Sequence, residues 1–145
     1  MGWVLIMNKI DEIYSMLDWN KPLYIQEMGR KLALYSNNIS DFLQPLTPMY
    51  NKNIWENCAK VLSEKTDDVL EPYLKELLEW LQDINWPGAL IIFERLKVFS
   101  GNKLKKPFLD SLTIATNIKN EEGVMWVYYL SKLLENDELK SELLK

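Results

Sequence analysis

The chain has 145 residues, which suits one domain with a substantial hydrophobic core. It has no histidine and one cysteine, which excludes histidine-dependent nucleophiles, cysteine-cluster zinc sites and an intramolecular disulfide, and favours a reducing, cytoplasmic location. The formal net charge of −4 has the wrong sign for binding nucleic-acid phosphates or anionic lipid, so we expect no nucleic-acid or membrane partner.

The N-terminal segment is apolar but too short for a signal-peptide core. Trp3–Met7 has no basic residue before it, and the longest later uncharged run, Ile84–Phe93, is far below the roughly 20 residues that a membrane helix needs. Met7 also offers an alternative start. We therefore expect residues 1–6 to be either an extension or an apolar strap that packs on the fold.

Apolar residues recur at the spacing of an amphipathic helix along the chain, and no segment alternates in the way that a strand does. A first helix carries Ile10, Ile13, Tyr14 and Leu17 on one face. A second helix is predicted from Pro22, with an apolar face of Leu23, Met28, Leu32 and Tyr35, and a short third one over Ile39–Leu46, closed by Pro45 and Pro48. A fourth begins at Asn53 with Cys58 facing inward, and a fifth covers Asp68–Gln82. The remaining helices are predicted over Ala89–Phe99, which Gly101-Asn102 ends, and over Leu104–Thr116, Val124–Glu135 and Asp137–Leu144.

The helix over Asp68–Gln82 has the clearest amphipathic pattern. Its apolar half contains Val69, Leu70, Tyr73, Leu74, Leu77, Leu78, Trp80 and Leu81. Its polar half contains Glu71, Lys75, Glu76, Glu79 and Gln82, while Pro72 fits the first turn. Trp80 lies at the edge of the apolar half beside Glu76 and Glu79, so it is either a core residue or an exposed aromatic anchor for a partner.

A short motif, Asp-x-Asn-x-Pro, occurs twice at an offset of 65 residues. The residues that share this offset are Asp18, Asn20, Pro22 and Arg30 in the first copy and Asp83, Asn85, Pro87 and Arg95 in the second, where Trp86 precedes the proline. Such an offset corresponds to two units of about 33 residues, each holding two helices, as in a helical solenoid.

We interpret this motif as structural. The asparagines Asn20 and Asn85 are predicted to N-cap the helices that follow, and the prolines to fix their first turns. The aspartates end the preceding helices and are expected to form an Asp–Arg ladder between repeats with Arg30 and Arg95. The alternative is that the same residues bind a ligand.

The run from Tyr73 to Ala89 resembles HEAT-type helical repeats, which carry Leu-x-x-Leu-x-Asp before the turn and a small residue early in the next helix. Within it, Leu81-Gln-Asp-Ile-Asn-Trp-Pro-Gly-Ala89 resembles an uncharacterised bacterial family of short HEAT-like domains, known only as a domain of unknown function, over roughly Val69–Leu134. The resemblance implies an α-α superhelix with a concave face and transfers no catalytic residue. We therefore predict one all-α domain over residues 1–145, a short right-handed HEAT-like solenoid of about four helical pairs.

The sequence offers little for catalysis. Acidic pairs occur at Asp67-Asp68 and Glu121-Glu122, but the first pair lies at a helix N-terminus, where the helix dipole favours negative charge. Cys58 lies on an inward helical stripe and is expected to be a buried, unreactive thiol. We predict no catalytic, cofactor-binding or metal-binding residue and no cofactor, because no histidine, third metal ligand or glycine-rich phosphate loop accompanies these groups.

The leading hypothesis is therefore a non-catalytic protein-binding module. The residues expected on its binding surface are Glu71, Lys75, Glu79, Gln82, Trp80, Lys106 and Asp110. The acidic composition predicts a basic protein partner, as a bacterial toxin-neutralising immunity protein would have, because opposite charge accelerates association. Two alternatives are an enzyme or small-ligand carrier with a pocket between helical pairs, and a structural or oligomeric subunit.

Overall fold

The computed structural model describes the backbone of residues 2–45 and 51–145 and the side chains of residues 9–45 and 51–145. Those residues form helices and turns and no β-strand, which confirms the all-α prediction for them. The α-helices are α1 (Gly2–Met16), α2 (Leu23–Leu34), α3 (Trp55–Ser63), α4 (Asp67–Leu70), α5 (Leu74–Glu79), α6 (Ala89–Lys97), α7 (Gly101–Asn117), α8 (Glu121–Lys132) and α9 (Asp137–Leu143). Short 3₁₀ segments cover Ile39–Phe42, Lys52–Ile54, Glu71–Tyr73, Trp80–Gln82 and Leu133–Glu135.

Some positions named in the sequence predictions lie outside the described residues, namely Met1, Leu46 and Pro48. The side chains of Trp3–Met7 lie outside them as well, so the apolar strap stays a prediction, although the backbone of this segment belongs to α1. The described part of the short helix predicted from Ile39 is a 3₁₀ segment that ends at Phe42. The superhelical arrangement of the helices stays a prediction.

The helix predicted over Asp68–Gln82 is divided in the structure. It consists of α4, a 3₁₀ turn, α5 and a second 3₁₀ turn. Pro72 lies in the first of these turns, where its missing N–H interrupts the helical ladder. The segment therefore stays helical along its length but tightens to the 3₁₀ pitch at two places.

Gly101-Asn102, predicted to end a helix, instead begin α7, and the preceding helix ends at Lys97. The start of α7 lies directly against the start of α9. A Cβ at position 101 would overlap the backbone of Glu138 and Leu139, so this close approach requires glycine.

The apolar face predicted for α2 is exposed, which corrects the sequence reading of that helix. The side that faces the fold carries Gln26, Gly29 and Ala33. Gly29 explains the choice of side, because a Cβ there would lie only 2.7 Å from Cβ of Met16 in α1. Close packing of the two helices therefore uses the small-residue side and leaves the larger apolar side chains outside.

The core forms where α3 packs against α6, α5 against α7, and α7 against α8 and α9. Burial of apolar surface at these contacts is the main stabilising contribution, at roughly 25 cal/mol per Å². The largest side chains that are fully buried in it include Leu62, Leu74, Leu77, Leu78, Trp80, Leu81, Ile92 and Phe99.

Candidate protein-binding site

The two copies of the sequence motif form the same local turn. Oδ1 of Asp18 accepts the backbone N–H of Asn20 at 2.8 Å, and Oδ1 of Asp83 accepts that of Asn85 at 2.9 Å. Both asparagines are exposed, and neither α2 nor α6 begins with a side-chain capping bond. The predicted N-cap role of the asparagines is therefore wrong, because the aspartates make the bond that closes each turn.

The prolines of the motif lie just before the helices rather than within their first turns. The carbonyl of Pro22 accepts the backbone N–H of Gln26 at 3.1 Å, which starts the ladder of α2. The carbonyl of Pro87 accepts the indole N–H of Trp80 at 3.0 Å. Gly88 follows with φ at 84°, a left-handed conformation that glycine adopts without strain.

The two repeat-related arginines bind different partners. Arg30 donates to Oδ1 of Asn57 at 2.6 Å, whereas Arg95 donates to Oδ1 of Asp67 at 2.6 Å and to the carbonyl of Lys65 at 2.9 Å. Neither bond involves a motif aspartate, so the predicted Asp–Arg ladder does not form. Both arginines nevertheless join separate helices, which agrees with a structural role.

Four of the seven predicted surface residues line one groove. This groove, of about 460 Å³, lies between the Glu71–Lys75 segment and α7, and we call it the α5–α7 groove. Its lining residues are Glu71, Pro72, Leu74, Lys75, Lys106, Pro107, Asp110, Ser111 and Ile114. It therefore combines apolar side chains with two acidic and two basic ones.

Ion pairs join several of the charged residues along the groove. Nζ of Lys106 lies 2.9 Å from Oδ2 of Asp110 one turn away, and Nζ of Lys103 lies 3.8 Å from Oε2 of Glu71. Lys103 also bonds to Asp68, and this bond lowers the pKa of the Asp68 carboxyl and raises that of Lys103. All of these groups are solvent-accessible, so they contribute specificity more than stability.

Glu79, also predicted on the binding surface, is buried and cannot contact a partner there, and the burial of Trp80 confirms the core alternative for this residue over the exposed anchor. Burial raises the pKa of Glu79, an effect that Lys75 partly opposes. Trp80 begins a 3₁₀ turn against which both α6 and α8 pack. Its position at the edge of the apolar face is therefore covered from two sides, and the side chain is buried.

Gln82, the seventh predicted residue, belongs to a second groove of about 370 Å³. Its side chain donates to the carbonyl of Glu79 at 2.9 Å. The residues that line this groove, which we call the acidic groove, are Gln82, Asp83, Trp86, Glu121, Glu122 and Met125. Within the described part of the chain, none of its three carboxylates forms a salt bridge.

Sequence reasoning missed the acidic groove, although it noted most of the residues. Glu121 and Glu122 begin α8, whose N-cap Asn120 accepts the backbone N–H groups of Glu122 and Gly123. Trp86 belongs to the repeat motif and meets the buried ring of Trp55 edge-on, with ring centres 6.0 Å apart. Only the tertiary packing of α8 against the 3₁₀ turn at Trp80–Gln82 brings these segments together.

Cys58 is fully buried, as predicted, and burial raises the pKa of its thiol to about 12. Among the described residues, no group of three or more acidic, cysteine or histidine side chains is arranged to hold a metal ion. The same part of the chain contains no helix long and apolar enough to cross a bilayer.

Comparison with known proteins identifies the family. No curated protein and no solved structure matches the chain. A family model described as a domain of unknown function, DUF5071, matches residues 50–144. The match contains both grooves and the helices from α3 to α9, whereas α1 and α2 precede it. Because it covers more than half of the chain, this protein belongs to the DUF5071 family.

Proposed function

We propose that this DUF5071 protein is a non-catalytic protein-binding module and that the α5–α7 groove is its binding surface. The observation that carries the proposal is the convergence of Glu71, Lys75, Lys106 and Asp110 around the apolar side chains of one groove. Protein interfaces combine an apolar centre with a polar rim in this way.

A basic protein is the partner that the charges favour. The net charge of −4 attracts a basic surface, and the acidic groove concentrates that charge in three carboxylates that form no salt bridge with the described residues. Complementary charge of this kind mainly increases the association rate. An immunity protein that neutralises a basic bacterial toxin is the physiological role that we propose, with the helices arranged as a short right-handed HEAT-like solenoid.

Affinity capture with matched variants tests the proposal. The purified protein is immobilised, exposed to lysate of its source organism and washed, and the retained proteins are identified by mass spectrometry. The groove variant combines Glu71→Lys with Asp110→Lys. The control variant combines Glu12→Lys with Glu64→Lys, two exposed positions outside both grooves that change the net charge equally.

We expect one basic protein to be retained in stoichiometric amount by the wild type and the control variant, and to be lost from the groove variant. Retention by the groove variant would reject the α5–α7 groove as the binding surface. Failure of the folded wild type to retain any basic protein would count against the binding-module function.

A further inference from the structure

The exposed side of α2 carries an apolar surface that the fold leaves uncovered. We call it the α2 face and define it by Leu23, Tyr24, Met28, Leu32 and Tyr35. Leu23 is 76% exposed and Tyr35 is 86% exposed. Aromatic residues and methionine are enriched at protein interfaces, and contiguous apolar surface of this kind marks interaction sites.

The spacing of the exposed residues is that of a helix-pairing seam. Tyr24, Met28, Lys31 and Tyr35 follow one another at intervals of four, three and four residues. Such intervals place side chains on one stripe, as the core positions of a coiled coil do. A second helix is therefore the element that fits along the α2 face.

The charges on this face favour a second copy of the same chain. Glu27 and Lys31 are both exposed, and within the described residues neither forms a salt bridge. When two copies of α2 pair antiparallel about Gly29, Glu27 of each copy lies opposite Lys31 of the other. The same alignment places Tyr24 opposite Tyr35 to within one residue. The face is thus complementary to itself, as a two-fold interface requires.

A neighbouring groove continues the α2 face at Leu32 and Tyr35. This groove, of about 460 Å³, is lined by Ile10 and Ile13 of α1 and shares Leu32 and Tyr35 with the α2 face. In the antiparallel alignment, Leu23 and Tyr24 of the second copy lie at its entrance. We propose that the protein forms a two-fold homodimer through the α2 face, independently of the partner bound in the α5–α7 groove.

Sedimentation equilibrium of the full chain, with a charge-swap series, tests this dimer. The wild type should have a mass of about 34 kDa, twice that of the 17.2 kDa chain. Glu27→Lys alone and Lys31→Glu alone should each raise the dimer dissociation constant tenfold or more, because each places like charges opposite one another. Mixing the two single variants should restore a dimer, since both opposing pairs then become Lys–Glu.

Glu64→Lys, an exposed change elsewhere, serves as the control and should leave the dimer unchanged. Tyr35→Ser tests the apolar contact without changing charge and should also weaken the dimer tenfold or more. Circular dichroism verifies that each variant is folded. A monomeric wild type at micromolar concentration, or a dimer that neither Glu27→Lys nor Tyr35→Ser weakens, would overturn the proposal.

Discussion

The guanidinium of Arg95 donates to the carboxylate of Asp67 at 2.6 Å, and the other oxygen of that carboxylate accepts the backbone N–H of Ser100 at 3.0 Å. These two bonds fix the start of α4 to the end of α6 and to the residue before α7. Asp67 does not line the α5–α7 groove, but we expect it to influence the groove through the placement of the segments on its two sides.

Replacement of Asp67 by alanine is expected to lower the free energy of unfolding by about 1–3 kcal/mol, because it removes the charged partner of the largely buried Arg95, which keeps only the Lys65 carbonyl, and the acceptor of the Ser100 backbone N–H. The matched control is Asp68→Ala, since the Asp68 side chain is 87% exposed and its bond to Lys103 lies in solvent. Urea denaturation measures the free energy of unfolding of both variants. Equal and small effects of the two substitutions would show that the Arg95–Asp67 pair does not hold these helices together.

A buried polar network joins α2 to α3. The amide of Asn57 donates to the carbonyl of Leu17 at 2.7 Å and to Oε1 of Gln26 at 2.9 Å, and it accepts from Arg30. Asn57→Ala removes a partner from all three groups, so it should destabilise the protein by about 2–4 kcal/mol.

The control for this network is Asn20→Ala, at an exposed asparagine of the repeat motif. It should change the stability by less than about 0.5 kcal/mol. Thermal and urea denaturation measure both variants. A larger loss from Asn20→Ala than from Asn57→Ala would reverse the assignment of structural roles given above.

The Gln44 side chain, unlike that of Asn57, is buried without hydrogen-bond partners. Gln44 is 1% exposed, and neither atom of its side-chain amide has a partner among the described residues. Removing an unsatisfied buried amide recovers its desolvation cost, so Gln44→Met should raise the free energy of unfolding by about 1–2 kcal/mol.

Gln26→Met is the matched control, since the Gln26 amide is also buried but donates to the carbonyls of Trp19 and Lys21. This substitution should lower stability. The melting temperatures of the two variants should therefore shift in opposite directions, and a loss of stability in both would contradict the account of Gln44.

Cys58 makes stability depend on pH in the alkaline range. Burial raises the pKa of its thiol from 9.0 to about 12, so the folded protein holds this proton more tightly than the unfolded chain does. The stability that the protonated thiol contributes to the folded protein is complete below pH 9 and is lost as the pH rises from 9 towards 12. At pH 10 the wild type should have lost about 1.4 kcal/mol relative to its stability at neutral pH from this group alone.

Because other groups also titrate in this range, the wild type is compared with Cys58→Ala at each pH. The stability difference between the two proteins should shrink between pH 8 and pH 10. A difference independent of pH would show that the Cys58 thiol is accessible to solvent in the folded state.

Local sequence signals predicted the helices well, because apolar spacing and turn residues act within a few positions. They could not show which side of α2 faces the fold, since that depends on the close approach of Gly29 to Met16. They also left Trp80 open between the core and the binding surface, because the packing of α6 and α8 against its turn is tertiary.

The same distinction between local signals and tertiary packing applies to the candidate site. Glu71 and Lys75, which lie one helical turn apart, were predicted together and do share the α5–α7 groove with Lys106 and Asp110. The acidic groove joins Trp86 to residues of α8 that are far away in sequence. No periodicity within one helix could reveal that contact, because it arises from the packing of α8 on an earlier turn.

Binding of a basic protein in the α5–α7 groove is tested most directly by amide hydrogen exchange of this protein, alone and with the basic protein that it captures. We predict slower exchange in residues 71–75 and 106–114 of the complex, and unchanged exchange in α1 and α2. Protection confined to helices outside the groove, or no change on mixing, would contradict the assignment of the α5–α7 groove as the binding surface.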